Sequence, residues 1–81
     1  MRLDKYLKVS RLIKRRTIAN EACDSERVSV NGRAAKASCV VKPGDMIDIR
    51  FGQKTLRVEV LSVSEYATKA EAAAMYREIL L

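Results

Sequence analysis

The chain has 81 residues, of which 48% are apolar and 32% are charged, and its formal net charge is +6. This length allows one domain, and no apolar run approaches the roughly 20 residues that a membrane-spanning helix needs. With no histidine and only two cysteines, the sequence lacks the usual zinc ligand sets and the commonest general base, so we expect no metal, no cofactor and no enzymatic activity.

The sequence begins with MRLDKYLK, which contains no apolar segment of the kind found in signal peptides. We therefore expect a cytoplasmic protein. In that compartment Cys23 and Cys39 should be reduced, and we expect them to be partly buried, because free cysteine behaves as a small apolar residue.

Residues 1–16 hold the entire net charge. They carry seven basic side chains against one acid, whereas the other 65 residues carry nine of each sign. If residues 2 to about 9 form a helix, Leu3, Tyr6 and Leu7 share one face and basic residues occupy the opposite arc. Lys5 or Lys8 taken singly also fits an ordinary solvated face, but such faces normally mix signs, so the set indicates an anion-binding surface. The seven basic residues are Arg2, Lys5, Lys8, Arg11, Lys14, Arg15 and Arg16.

A second helix is predicted to follow, with Thr17 as its N-cap. Three cations at 14–16 stand directly before it, where they oppose the positive end of the helix dipole. An unfavourable local arrangement of this kind often marks a functional site, and a helix N-terminus beside arginines suits a phosphate group. The apolar positions of this helix are Ile18, Ala19, Ala22 and Cys23.

The middle of the chain reads as strands joined by tight turns. Asn31-Gly32 after a short strand at 28–30 predicts a type I′ hairpin turn, in which both turn residues have positive φ. Pro43-Gly44-Asp45 predicts a second turn. Alternating apolar residues at 47–51 and again at 56–60 predict an antiparallel hairpin around Gly52-Gln53.

The C-terminal segment is predicted to be an amphipathic helix. Thr68 and Glu71 form a capping box, and apolar residues follow at helical spacing. The apolar stripe either packs on the sheet, which we favour, or is reserved for a partner. Its members are Ala72, Met75, Tyr76, Ile79 and Leu80. The predicted fold class is therefore α+β, with two N-terminal helices, a small antiparallel sheet and a C-terminal helix.

Four segments agree in order and spacing with one known family. They are RLDKYLK (2–8), RRTIANEA (15–22), VSVNGRAAKAS (28–38) and VKPGDMIDI (41–49). The chain therefore resembles the S4 domain, an RNA-binding fold also called the αL motif, over about residues 2–51. The resemblance implies an αL-motif RNA-binding core at 1–51, and a closing strand and C-terminal helix of the same domain at 52–81.

Within that family the chain looks most like short members that serve bacterial ribosome quality control as P-site factors. This narrower resemblance depends on KVSRLIKRRTIA (8–19), FGQK (51–54) and AAAMY (72–76). It implies a factor that binds large-subunit rRNA beside a stalled peptidyl-tRNA, contacts the P-site tRNA and supports alanine tailing of the nascent chain. It also implies a tailing factor as a partner on the same subunit. We expect no membrane contact and a monomer off the ribosome.

By motif position, the resemblance implies RNA contacts for Arg2, Arg16, Lys36 and Lys42, and places Asp4 in the same element as Arg2. Asp4 also has a structural interpretation, because a carboxylate in the first turn of a helix complements the dipole and can pair with Lys8 at i+4.

The sequence departs from the family pattern at two positions. Arg15 stands where a serine is usual, which adds charge and changes the helix cap. Glu26 stands where a glycine is usual, so we expect local strain or a shifted turn at the end of the second helix.

Three other functions compete with this one. A heat-shock-type relative would bind free large subunits, and the sequence does not separate it from a quality-control factor. Residues 1–16 could instead lie on an anionic membrane surface, although their apolar face is small and has no tryptophan or phenylalanine. An enzyme is disfavoured because no acid, base and nucleophile set is present.

Overall fold

A computed structural model describes residues 1–80 and contains one antiparallel sheet packed beside helices. Over that range the strand order in the sheet is β2-β1-β3-β4-β5. The elements are α1 (Leu3–Val9), α2 (Arg16–Asp24), β1 (Val28–Val30), β2 (Arg33–Ala34), β3 (Met46–Phe51), β4 (Lys54–Val60), α3 (Lys69–Ala73) and β5 (Tyr76–Ile79). The predicted α+β class is confirmed.

Helix α1 forms because its apolar residues recur at helical spacing and find a core to enter. Leu3, Tyr6 and Leu7 are completely buried, as the pattern predicted. The chain before α1 is held by backbone hydrogen bonds to the loop that precedes β3. The Leu3 amide donates to the Cys39 carbonyl at 2.7 Å, and the Val41 amide donates to the Met1 carbonyl at 2.8 Å. This anchoring fixes the N-terminal residues relative to the sheet.

The two predicted turns are present and are joined by side chains. Asn31 has φ 54° and Gly32 has φ 84°, as a type I′ turn requires. The Asn31 side chain accepts from the Met46 amide at 2.9 Å and donates to Asp45 at 3.2 Å. Burial would raise the pKa of Asp45, but hydrogen bonds from the Lys42 amide and from Asn31 hold that pKa below its usual value. The predicted β3–β4 hairpin is also confirmed.

The prediction that Thr17 caps α2 is wrong. The N-cap is Arg15, and the helix begins at Arg16. The Arg15 backbone is extended (φ −120°, ψ 135°), and its carbonyl already accepts from the Ala19 amide at 3.0 Å. Thr17 therefore lies inside the first turn. Ile18, one of the apolar positions named for this helix, is about half exposed, whereas Ala19, Ala22 and Cys23 are buried.

The C-terminal end of α2 is a Schellman motif built around Glu26. The Arg27 amide donates to the Ala22 carbonyl at 2.9 Å, and the Glu26 amide donates to the Cys23 carbonyl at 3.0 Å. This motif needs a left-handed residue, and Glu26 has φ 65°. The strain expected from the missing glycine is therefore present in the structure.

Replacing Glu26 by glycine should stabilise the fold. The left-handed conformation costs a residue with a side chain about 1–2 kcal/mol, and part of the gain is lost to the greater freedom of glycine in the unfolded chain. We expect Glu26→Gly to raise the free energy of unfolding in urea by about 0.5–1 kcal/mol. Glu21→Gly, in the middle of α2, should lower it by a similar amount. If both variants were destabilised equally, the conformation assigned to Glu26 would be incorrect.

The two cysteines are free, as predicted, with Cys23 buried and Cys39 half-buried. Burial, with a smaller contribution from the nearby Asp4 charge, raises the pKa of the Cys23 thiol to about 11. Cys23 is therefore a protonated core residue at neutral pH.

The prediction of a continuous C-terminal helix is wrong. The Thr68–Glu71 capping box exists, but α3 ends at Ala73 and the chain continues as β5 along the edge of β4. In a longer helix the Met75 carbonyl would accept from residue 79. Here it accepts instead from the Tyr6 hydroxyl at 2.8 Å and from the Leu61 amide at 2.8 Å. Met75 is buried in the core, so the predicted packing of this segment onto the sheet holds at that position.

Candidate nucleic-acid interface

Two predicted RNA contacts, Arg2 and Arg16, meet at the buried carboxylate of Asp4. Arg2 precedes α1 and Arg16 opens α2, and the packing of these two helices brings the residues together. Arg2 Nε lies 3.2 Å from Asp4 Oδ1, and Arg16 Nε lies 3.4 Å from Asp4 Oδ2. The two arginine side chains remain 50% and 47% exposed, so each guanidinium keeps donors for another acceptor.

Asp4 is ionised and fully engaged by its neighbours. It is 2% exposed, and it also accepts from Asn20 at 3.3 Å and from the Lys5 amide at 2.8 Å. Burial alone would raise the pKa of Asp4, but the hydrogen bonds from Asn20, Arg16, Arg2 and the Lys5 amide outweigh burial and lower it. The predicted pair of Asp4 with Lys8 is wrong, because the two arginines and Asn20 occupy the carboxylate. Asp4 positions two cations that come from different helices.

The N-terminus of α2 is open to an anion. Among residues 1–80 no side chain caps it, and its first turn contains no acid. The first backbone amides of a helix have no partner within the helix and carry partial positive charge. Arg15 and Arg16, both exposed, stand beside them. Cations at the start of a helix oppose its dipole when no ligand is bound. Here they stand beside the free amides, so one phosphate can bind both the amides and the guanidinium groups.

A second group of predicted cations surrounds a groove of about 510 Å³ beside the end of α1. We call it the Tyr66 groove, after the side chain that projects most from it, and Tyr66 is 88% exposed. Lys5 pairs with Glu65 at its margin. The groove is lined by Lys8, Val9, Arg11, Lys14, Glu65, Tyr66, Ala67 and Lys69.

Lys36 and Lys42 lie on the loop that crosses the N-terminus of the chain. Next to Lys36, the Ala37 carbonyl accepts from the Asp4 amide at 3.2 Å. Lys42 is exposed and has its ammonium 3.5 Å from Asp45. Lys36 is therefore adjacent in sequence to a backbone contact of Asp4, whereas the ammonium of Lys42 is directed at Asp45. Among residues 1–80, neither lysine has a side-chain bond to Arg2, Arg16 or Asp4.

Sequence reasoning missed three residues of this surface. Asn20 holds Asp4 from the second turn of α2. Tyr66, in the segment between β4 and α3, and Lys69, the first residue of α3, line the groove. The sequence contains no signal for the role of Asn20, because its partner Asp4 lies on another helix. Tyr66 lies in a stretch without periodic pattern, so its place beside Lys8 arises from tertiary packing alone.

Other kinds of site find little support in the part of the chain that the structure describes. Within residues 1–80, no three His, Cys, Asp or Glu side chains are grouped so that they could hold a metal ion. No helix over the same range is long and apolar enough to cross a bilayer. The apolar face of α1 is in the core, so a membrane-surface role for residues 1–16 lacks an apolar side to insert.

Comparison with known proteins identifies a family and relatives of this chain. The family model described as the S4 domain matches residues 1–47. Proteins of Halalkalibacterium halodurans and Bacillus subtilis, both named "RQC P-site tRNA stabilizing factor", are each 59% identical over 76 residues. These alignments cover 94% of this chain and 86% and 88% of the relatives. The trimeric structure of Vibrio cholerae Heat Shock Protein 15 superimposes with a TM-score of 0.90 at 32% identity, covering 98% of this chain and 81% of that one.

Proposed function

The chain belongs to the S4 domain family, and from this premise we propose that it is an RNA-binding factor of ribosome quality control. It binds the large subunit that carries a stalled peptidyl-tRNA, contacts rRNA and the P-site tRNA, and acts without catalysis of its own. The names of its relatives, in which RQC stands for ribosome quality control, support this role, and the site supplies the chemistry.

The arrangement of Arg2 and Arg16 around Asp4 carries the proposal. A guanidinium binds phosphate bidentately and can stack on unpaired bases, and its planar donors lose little freedom when they are already oriented. Asp4 fixes one side of each arginine and leaves the outer donors for RNA. Asp4 is buried and paired with both arginines, so its negative charge is compensated by the cations that it holds.

Two groups of cations suit a factor that touches two RNA molecules. One group surrounds the arginine pair and the open N-terminus of α2, and the other lines the Tyr66 groove. We propose that rRNA and P-site tRNA occupy these two regions. Stabilising the tRNA in the P site would support alanine tailing by a tailing factor on the same subunit, and the protein would be cytoplasmic and monomeric off the ribosome.

Co-sedimentation tests the proposal. The protein should sediment with large subunits that bear peptidyl-tRNA, and the logarithm of its binding constant should fall with log salt by about 0.7–0.9 per phosphate contacted. Sedimentation that did not depend on salt, or no binding to loaded subunits, would contradict a phosphate-binding role.

The likeness to Vibrio cholerae Heat Shock Protein 15 favours a second candidate, a heat-shock-type factor. For such a factor we propose binding to free large subunits. Vacant subunits in the same sedimentation experiment separate the two. Equal or higher occupancy of vacant subunits would favour the heat-shock-type role, whereas preference for loaded subunits is the result that we expect.

A further inference from the structure

We propose that the Tyr66 groove holds an unpaired nucleotide, with its base stacked on Tyr66 and its phosphates held by the groove cations. This proposal rests on the proposed RNA binding and names the form of RNA that one of its two regions accepts. It also identifies an aromatic residue that lies outside the matched S4 domain region, residues 1–47.

The exposure of Tyr66 is the first observation. Tyrosine is usually at least half-buried, because its ring is large and apolar. Tyr66 is 88% exposed, whereas Tyr6 is completely buried and Tyr76 is half-buried. An exposed ring face among cations is the arrangement by which proteins bind single-stranded nucleic acid, because every base can stack on it.

The charge of the groove is the second observation. Its one acid, Glu65, is engaged by Lys5, which lowers the pKa of Glu65 and compensates its charge. None of the four groove cations has an acidic partner within ion-pair distance among residues 1–80. The groove is therefore strongly positive. These cations are Lys8, Arg11, Lys14 and Lys69.

The segment that carries Tyr66 is tied to α1. The ion pair between Glu65 and Lys5 joins this segment to the helix. Within the segment, the Ser64 hydroxyl donates to the Tyr66 carbonyl at 2.7 Å. The ring consequently stands beside Lys8 and Lys14 at one groove. A platform held next to its phosphate-binding groups loses less freedom on binding than a mobile one.

Arg11 reaches the groove from an unusual backbone conformation. It follows the C-terminal end of α1 with φ 63°, a region that disfavours residues with a Cβ atom. Hydrogen bonds from the Arg11 amide to the Lys8 carbonyl and from the Ile13 amide to the Leu7 carbonyl, both 3.1 Å, close the helix around it. The residue in this strained conformation, Arg11, has a long cationic side chain that lines the groove. Strained backbone is often found at binding sites, where the surrounding structure maintains it.

The groove suits a nucleotide better than a lipid surface. Its volume of about 510 Å³ lies within the range of small-ligand sites. Val9 and Ala67 are its only apolar lining residues besides the ring of Tyr66 within the described chain, and Val9 is already half-buried. Insertion into a bilayer needs a broader apolar face than these side chains offer.

Binding of two RNAs by variants of the full chain tests the proposal. One probe is a hairpin whose unpaired loop contains 2-aminopurine, and the other is a duplex with the same stem sequence and no loop. We expect Tyr66→Ala to weaken binding of the hairpin about 5- to 10-fold and to abolish the quenching of 2-aminopurine fluorescence by the protein. Tyr66→Phe should restore both, and affinity for the duplex should not change. Leu80→Ala, at a side chain that is also 88% exposed but lies outside the groove, should resemble the wild type.

Three results would overturn this proposal and leave the proposed function standing. Equal hairpin affinity for wild type and Tyr66→Ala would remove the stacking role, and so would an equal loss on the hairpin and the duplex. Binding to phosphatidylglycerol vesicles that depends on Tyr66, with hairpin binding unaffected, would assign the ring to a membrane. A wild-type protein that binds neither RNA would instead overturn the proposed function together with this inference. Because Tyr66 is exposed, we expect the circular dichroism of every variant to match the wild type.

Discussion

Arg16→Glu is expected to weaken binding to loaded large subunits by about 10- to 100-fold at physiological salt, because a charge-assisted hydrogen bond is lost and a repulsion replaces it. The substitution has a second effect that the structure makes visible. It would place a carboxylate where Arg16 now contacts the buried Asp4. Part of the loss in binding would therefore come from displacement of Arg2, the other cation that Asp4 holds.

Arg15→Glu separates these two effects. Arg15 is exposed, has no acidic partner among residues 1–80, and undergoes the same change of two charge units. We expect it to weaken binding less than Arg16→Glu and not to lower the urea midpoint, because a carboxylate at the N-terminus of α2 complements the helix dipole. If both variants bound loaded subunits as tightly as the wild type, the proposed RNA-binding face would be refuted.

Asp4→Asn is expected to have the largest effect on stability. The neutral side-chain amide of asparagine cannot offset the charges of Arg2 and Arg16. Its NH₂ group would also face the N–H donors of the two guanidinium groups. Removing one partner of a fully buried ion pair costs about 3–5 kcal/mol, but both arginines are about half exposed, so we expect a loss of about 1–3 kcal/mol. RNA binding should fall as well, because the outer donors of the arginines lose their orientation.

The pH dependence of this loss identifies its cause. Because hydrogen bonds hold the pKa of Asp4 below its ordinary value of 3.8, the stabilisation is present above that pH and is lost as pH falls through the folded-state pKa. The difference in free energy of unfolding between wild type and Asp4→Asn should thus be constant near neutral pH and shrink below about pH 3.8. The contribution of Asp45 cancels, because both proteins contain it.

Asp48→Asn is the matched control for Asp4→Asn. Asp48 also pairs with an arginine, Arg57, at 2.8 Å, but on the surface of the sheet. Exposed ion pairs contribute about 0–1 kcal/mol, so this variant should lose little stability and no RNA affinity. A pH-independent difference for Asp4→Asn, or an equal loss for both variants, would show that the charge of Asp4 does not organise the arginines.

The elements that the sequence predicted correctly are those whose signal is local. The turn at Asn31-Gly32 depends on two adjacent residues, and the burial of Leu3 and Leu7 depends on spacing within one helix. The prediction of a long C-terminal helix failed because the apolar residues of this segment are spaced as in a helix. The hydrogen bonds that end the helix come from Tyr6, Leu61 and the free edge of β4. None of these partners is near in sequence.

The same distinction applies to the site. The cluster of positive charge at 1–16 is visible in the sequence, and the family motifs point to Arg2 and Arg16. That Asp4 links those two arginines could not be predicted, because the link spans two helices. The contribution of Tyr66 to a groove beside α1 depends likewise on a segment more than fifty residues away.

A cryo-EM map of the protein bound to native large subunits that carry peptidyl-tRNA tests the central claim most directly. We expect the faces of α1 and α2 that carry Arg2 and Arg16 to contact an RNA backbone, and the Tyr66 groove to face a second RNA segment. A map in which the sheet surface around Arg57 met the RNA, while the arginine pair around Asp4 faced solvent, would contradict the proposal.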